Sequence, residues 1–250
     1  MTLPIILLLL AAFIAGAQNA LAGGGSFLVF PAMLFAGLNP LAANITSTIA
    51  LFPGQVTTSL AGRNMVEGAA GLSIRMLFGI SLAGGAIGAC LLLATPVSIF
   101  THLVPFLVLF ATVVFAWGSF FAKKRAEDEP AHITPRAAMA AQMLIAIYGG
   151  YFGGGIGILM LAALTAAGLS VRHAGATKNM LAGVINVAAV VIFAVRTHVH
   201  WHIVLLVAVC AILGGQLGVY MLRRINETAL RIAITTIGIL LTIGLFLRAG

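Results

Sequence analysis

Acidic residues are nearly missing from this chain: it has five Asp and Glu among 250 residues, and charged residues of either sign make up only 7%. Soluble domains carry roughly a quarter, so a water-soluble globular fold is excluded. A hydrophobic content of 62% and a mean hydropathy of +1.16 make the bilayer the solvent. The five acids, Glu67, Glu127, Asp128, Glu129 and Glu227, lie in hydrophilic interruptions, and none falls inside an apolar run. Intramembrane Asp, Glu and His form the usual proton relays, and cation sites need carboxylate oxygens, so a cation substrate is disfavoured. Cysteine is scarce as well. Cys90 and Cys210 stand singly in apolar segments with no C-x-x-C spacing, which excludes a disulfide framework and reads as two small core residues. There is no G-x-x-x-x-G-K-[ST] phosphate loop and no G-x-S-x-G elbow. Gly24-Gly25-Ser26 is a weak hint of a nucleophile but lacks a His or Lys partner, so the chain reads as neither an ATPase nor an enzyme, and no cofactor is implied.

What charge there is runs the other way. The net charge is +8, and all of the 13 basic residues but Lys178 gather at the ends of apolar stretches, where they retain loops in the cytoplasm. This is a topology signal and points to a bilayer, with no nucleic-acid partner. His198, His200 and His202 alternate around Trp201 and would share one side only in an extended loop. They read as an interfacial loop anchored by Trp201, with no metal site expected. No Lys or Arg precedes the first apolar run, so it is kept as structure and not as a secretory signal.

Apolar segments fall at 3–22, 26–38, 41–62, 76–95, 103–122, 137–152, 156–168, 173–195, 203–222 and 229–247, and the longest hydrophilic stretch, 123–136, lies at the centre. Around it the sequence repeats. Gly23-Gly24-Gly25 aligns with Gly153-Gly154-Gly155, and Gly84, Gly85 and Gly88 with Gly214, Gly215 and Gly218, at one offset of 130. After a one-residue slip Gly37-Leu38, Ala43 and Thr46 align with Gly168-Leu169, Ala174 and Thr177. The expected fold is an all-α polytopic membrane protein with two homologous halves, 1–122 and 137–250, joined by a cytoplasmic linker at 123–136. Residues 3–38 would be about 54 Å long as one helix, too long for a single pass. If the chain turns back at the glycines, the halves are inverted, and ten basic loop residues lie on one side against Arg196 and Arg248 on the other; a single crossing gives eight against four. Inverted repeats are therefore expected, each a Gly-broken hairpin plus three spanning helices, with both termini periplasmic.

Gly-broken helices in matching positions of inverted repeats point to a transport site near the midplane. Gly23, Gly24 and Gly25 with Ser26, and Gly153, Gly154 and Gly155, should open the backbone there. Freed N–H groups at helix N-termini attract anions. The segment after each break is unusually polar: Asn44, Thr46, Ser47, Thr48, then a break at Pro53-Gly54, then Gln55 in the first half; Thr177, Lys178, Asn179 and Asn186 in the second. Lys178 is the sharpest residue. It lies inside an apolar run without an acidic partner in any other run, so an exogenous anion is its expected counter-charge; snorkelling to the interface beside Arg172 is the alternative. These sixteen residues form the expected substrate site.

The stretch Gly23-Gly24-Gly25-Ser26, then Pro31, Gly37 and Ala43-Asn44-Ile45-Thr46-Ser47-Thr48, resembles the sulfite exporter TauE/SafE family. Gly149-Gly150-Tyr151-Phe152-Gly153-Gly154-Gly155-Ile156-Gly157 with Ala174-Gly175-Ala176-Thr177-Lys178-Asn179 resembles its second repeat. The likeness runs from about residue 5 to 247. It implies a permease of the bacterial inner membrane, associated with export of sulfite or small organosulfonates. Ile156 stands where the first half has Ser26, and Lys178 where it has Ser47, so the site would be pseudo-symmetric. The rival readings are a non-transporting membrane assembly factor and an anion channel. A homo-oligomer is compatible with the sequence, which carries no signal for one.

Overall fold

The computed structural model describes residues 2–21, 25–121, 133–222 and 227–249. These form ten α-helices: α1 (Thr2–Leu21), α2 (Ser26–Phe35), α3 (Pro40–Ala61), α4 (Ile74–Ala94), α5 (Val97–Ala116), α6 (Pro135–Tyr151), α7 (Ile156–Ala166), α8 (Val171–Arg196), α9 (Trp201–Leu222) and α10 (Glu227–Ala249). A 3₁₀ turn follows α3 at Arg63–Met65, and a π turn extends α5 over Trp117–Phe121. The described residues contain no strand. Three helical stretches among them, Ile74–Ala94, Val97–Phe120 and Val171–Arg196, are long and apolar enough to cross a membrane.

The helix boundaries follow local chemistry. Asn39, Ser73, Thr134 and Ser170 cap α3, α4, α6 and α8 by accepting the N–H of the residue three further on, at 2.9, 3.3, 3.3 and 3.4 Å. Pro40 and Pro135 occupy the first helical position, where no donor is needed. The short helices stop in the same way as each other. Gly37 and Gly168 take φ of +94° and +102°, and the following Leu38 and Leu169 donate back to Met33 O and Leu164 O, both at 3.1 Å. That is the left-handed glycine termination with its backward bond.

At 1.5 Å per residue α2 and α7 are about 15 and 17 Å long, half of the roughly 30 Å of a hydrocarbon core. Each packs against the helix before it and the helix after it. The most extensive contacts join α1 to α9 and α4 to α6; α3 and α4 pack on α8, α3 also on α9, and α5 on α10. In the α4–α6 contact Gly84 lies where a Cβ would be 3.2 Å from Met143 O, and in the α1–α9 contact a Cβ on Gly214 would collide with Phe13 O. Both glycines let backbones touch, as small residues do between membrane helices. Gln55 meets Asn186, Ser59 meets Asn179 and Gly62 meets Ala176, so α3 and α8 run antiparallel. So do α5 and α10, where Phe106 meets Phe246 edge to face and Gly238 faces Thr112.

Four expectations are corrected. Helix α3 runs unbroken through Pro53: the expected break does not occur, because α8 and α9 both pack on it and a packed membrane helix tolerates the lost donor. Helix α5 begins at Val97 behind Pro96, six residues earlier than its hydropathy suggested, and contains Pro105. Cys90 is exposed on α4, not buried, since an outward face in lipid is as apolar as a core; Cys210 is half-buried. Trp201 opens α9, which puts His202 on a helix and only His198 and His200 in the loop. Residues 122–132, most of the expected linker, lie outside the described residues, as do Gly23 and Gly24.

Candidate functional site

The second glycine break is built from conformation. Phe152 leaves the helix at φ −131°, and Gly153 and Gly155 adopt φ of +79° and +77°, values that side chains other than glycine's resist. Gly155 then caps α7, whose first helical bonds are made by the N–H of Ile158 and Leu159 to Gly155 O. The first break closes differently. Gly25 has an ordinary φ of −56°, and its N–H donates to Asn19 Oδ1 at 2.8 Å, so a side chain reaches across the gap. The first bonds of α2 are made by Leu28 and Val29 to Gly25 O. The N–H groups of Ser26 and Phe27, and of Ile156 and Gly157, therefore carry no bond within their own helices, and each helix start carries about half a positive charge.

Both helix starts open on one polar cavity. Asn19, Ser26, Thr48, Leu51, Gln55, Thr58, Gly153, Ile156, Gly157, Lys178, Asn179, Ala182 and Asn186 line about 40 Å³ of space, room for about three waters. Lys178 is 3% exposed, and among the described residues it has no hydrogen bond and no ion pair. It lies eight residues into α8, about 10 Å from its start, so it does not snorkel, whereas Arg172 is exposed at the helix end. Asn186 donates Nδ2–H to Gln55 Oε1 at 2.5 Å, linking α8 to α3 inside the cavity. Thr48 and Thr58 donate to Asn44 O and Gly54 O at 2.9 Å each and so turn lone pairs to the cavity. A larger hollow of about 510 Å³ lies between α2 and α10, lined by Pro31, Leu34, Phe35, Ile237, Leu240, Leu241, Gly244 and Leu245. It contains no ionisable group and fits a lipid chain better than a solute.

Of the expected residues, seven line the polar cavity together: Ser26, Thr48, Gln55, Gly153, Lys178, Asn179 and Asn186. Asn44 and Gly154 border a hollow of about 10 Å³ beyond Ser26, and Asn44 donates to Tyr151 O at 3.0 Å. Gly25 and Gly155 shape the breaks without lining the cavity. Thr46 is buried and borders neither hollow; Ser47 is buried and donates to Asn44 O at 2.9 Å. Thr177 turns away from the cavity: it accepts the Glu67 N–H at 3.0 Å and donates to Glu67 O at 3.3 Å. Sequence reasoning missed Asn19, an amide standing just before a triple glycine, and Ile156 and Gly157, whose exposed N–H groups follow from the break itself. Among the described residues no three of His, Cys, Asp and Glu gather where a metal could bind. The arrangement offers one lysine, two helix N-termini and amides, with no carboxylate, and suits a small anion.

The sequence profile described as Sulfite exporter TauE/SafE matches residues 8–245. A "Probable membrane transporter protein ORF9" of Sinorhizobium sp is 34% identical over 215 residues, which cover 84% of this chain and 80% of that protein. A "Probable membrane transporter protein" of Haemophilus influenzae is 26% identical over 235 residues, 92% of this chain and 89% of the relative. The "Probable membrane transporter protein YfcA" of Escherichia coli K12 is 26% identical over 225 residues, 87% and 81% of the two chains. No solved structure matches. The chain belongs to the sulfite exporter TauE/SafE family of membrane transporters.

Proposed function

We propose that this protein is a secondary transporter that exports a small sulfur-containing anion, sulfite or a small organosulfonate, by alternating access around the polar cavity. The observation that carries the reading is Lys178. A cation buried in the bundle without a partner among the described residues costs several kcal/mol, and at this point the two half-helix starts of α2 and α7 add to the positive field. A bound anion satisfies all three. Export needs no proton relay, since a negative interior drives an anion outward with about 2.3 kcal/mol per charge per 100 mV. The proposed setting is a bacterial inner membrane with both termini periplasmic.

Alternating access rests on inverted halves, 1–122 and 137–250, and the packing supports them. Gln55 and Asn186 are 131 residues apart, the offset that relates Thr46 to Thr177, and they bond each other. The Gly84–Met143 and Phe13–Gly214 contacts are likewise related by 130 on both partners. Equivalent helices α3 and α8 run antiparallel, as do α5 and α10. An axis along the membrane normal would leave equivalent helices parallel; an axis in the membrane plane reverses them. The test is uptake by liposomes holding purified protein, with sulfite, sulfoacetate, thiosulfate and sulfate compared under an imposed potential. Saturable flux of one anion that collapses in Lys178→Ala supports the reading. No flux of any anion moves the weight to an assembly factor, and non-saturable flux to a channel.

A further inference from the structure

Thr177 sits beside Lys178 yet faces away from the cavity, onto the connection between α3 and α4. That connection, residues 62–73, is an ordered body. Its 3₁₀ turn leads to a tight hairpin in which Ala69 N–H donates to Leu72 O at 3.1 Å and Leu72 N–H to Ala69 O at 2.9 Å. At the hairpin tip Ala70 has a left-handed φ of 51°, a conformation that alanine keeps only when its surroundings hold it. Three contacts dock this body on the second half of the chain. Ala70 N–H donates to Ala167 O at the end of α7 at 2.9 Å. Glu67 Oε1 lies 3.6 Å from His173 Nε2 on the exposed rim. Between them the fully buried Thr177 hydroxyl holds both backbone groups of Glu67.

The docked body begins one helical turn beyond one end of the cavity. Thr58 and Asn179 line the cavity, and one turn further toward the surface α3 and α8 meet at Gly62 and Ala176, where the connection begins. Among the described residues the other half has nothing of the kind. The matching connection after α8 is only 197–200, and Thr46, which matches Thr177, makes no bond to a connecting segment among the described residues. We infer that residues 62–73 are a gate over the cavity mouth at the start of α8, and that Thr177 is the positioning residue that latches the gate shut. The inference rests on the cavity being the transport site. Because Thr177 and Lys178 are consecutive on α8, any movement of α8 as an anion engages Lys178 is felt at the latch.

The test is accessibility. In a Cys90→Ala/Cys210→Ala background, Ala182→Cys places a thiol on the cavity wall, to be labelled with a small membrane-impermeant thiosulfonate reagent applied from either face in oriented vesicles. Thr177→Val is expected to raise labelling from the face carrying residues 62–73 about tenfold, the effect of losing one or two net hydrogen bonds from the closed state. Labelling from the other face should not rise, and Thr177→Ser should restore the original rate. Should Thr177→Val fail to fold, Glu67→Cys/His173→Cys joined by a short bis-methanethiosulfonate linker, each thiol displacing one methanesulfinate, should abolish labelling from the gate face and stop flux. Equal labelling from the gate face with and without the valine, or with and without the linker, overturns the gate while leaving the cavity reading intact. A thiol that labels from neither face in any variant overturns both.

Discussion

Two stretches of matched sequence, Thr46-Ser47-Thr48 on α3 and Thr177-Lys178-Asn179 on α8, have been put to opposite uses. On α3 the Ser47 and Thr48 hydroxyls both donate to Asn44 O in their own helix, the usual fate of such residues in a helix interior. On α8 the three side chains divide between a connecting segment and the cavity, and the Asn179 carbonyl takes the Ser59 hydroxyl from α3. A repeated polar signature is therefore not a repeated site. The half whose polar groups are bonded within the helix can serve as wall, while the half that projects them supplies charge and latch.

The sharpest way to break this contrast is to move the charge. Lys178→Met is expected to lower saturable anion flux by two orders of magnitude or more, since losing one member of a desolvated ion pair costs about 3–5 kcal/mol. Adding Ser47→Lys to that variant should restore nothing, because Ser47 does not border the cavity. Recovery of flux in the double variant would mean that the two helices are functionally equal.

The glycine breaks allow a second contrast. Gly155→Ala forces alanine into φ of +77°, costing about 1–2 kcal/mol, and thermal unfolding in detergent should show a Tm lower by several degrees. Gly25→Ala meets no such torsional strain at φ −56°; its Cβ would be 2.6 Å from Ala15 O and 2.8 Å from the Asn19 amide. Asn19→Ala made alongside it should recover part of the Gly25→Ala loss and none of the Gly155→Ala loss.

Between the halves, Gln55 and Asn186 meet as equivalents. A double-mutant cycle on flux with Gln55→Ala and Asn186→Ala should give a coupling of about 1 kcal/mol, the net worth of one hydrogen bond. A coupling of zero would mean that the two amides act on the anion separately.

Hydropathy made the ten helices legible because a bilayer demands long apolar runs between short polar ones, and the triple glycines marked both breaks. What escaped was direction. Thr46, Ser47 and Thr177 were as polar and as well matched as Lys178, yet whether a hydroxyl faces a cavity, its own helix or a distant loop depends on helix rotation, which packing sets. Pro53 misled for a related reason: its propensity to break a helix is real in isolation and is overridden by the packing of α8 and α9 on α3. Asn19 was legible only once the break needed a donor or acceptor to close it.

The smallest expected effect tests the quiet half. The Asn44 carbonyl receives two hydroxyls, from Ser47 and Thr48, each at 2.9 Å. Ser47→Ala removes one of them and leaves the carbonyl satisfied, strands no buried donor, and turns a buried hydroxymethyl into a methyl, leaving a gap smaller than a water, so unfolding and flux should stay within about 0.5 kcal/mol of the parent. If Ser47→Ala instead lowered flux tenfold, the hydroxyl would have to leave Asn44 and enter the cavity during transport. The division of labour between α3 and α8 would then describe one conformation of the cycle, with the roles of the two helices exchanged in the other.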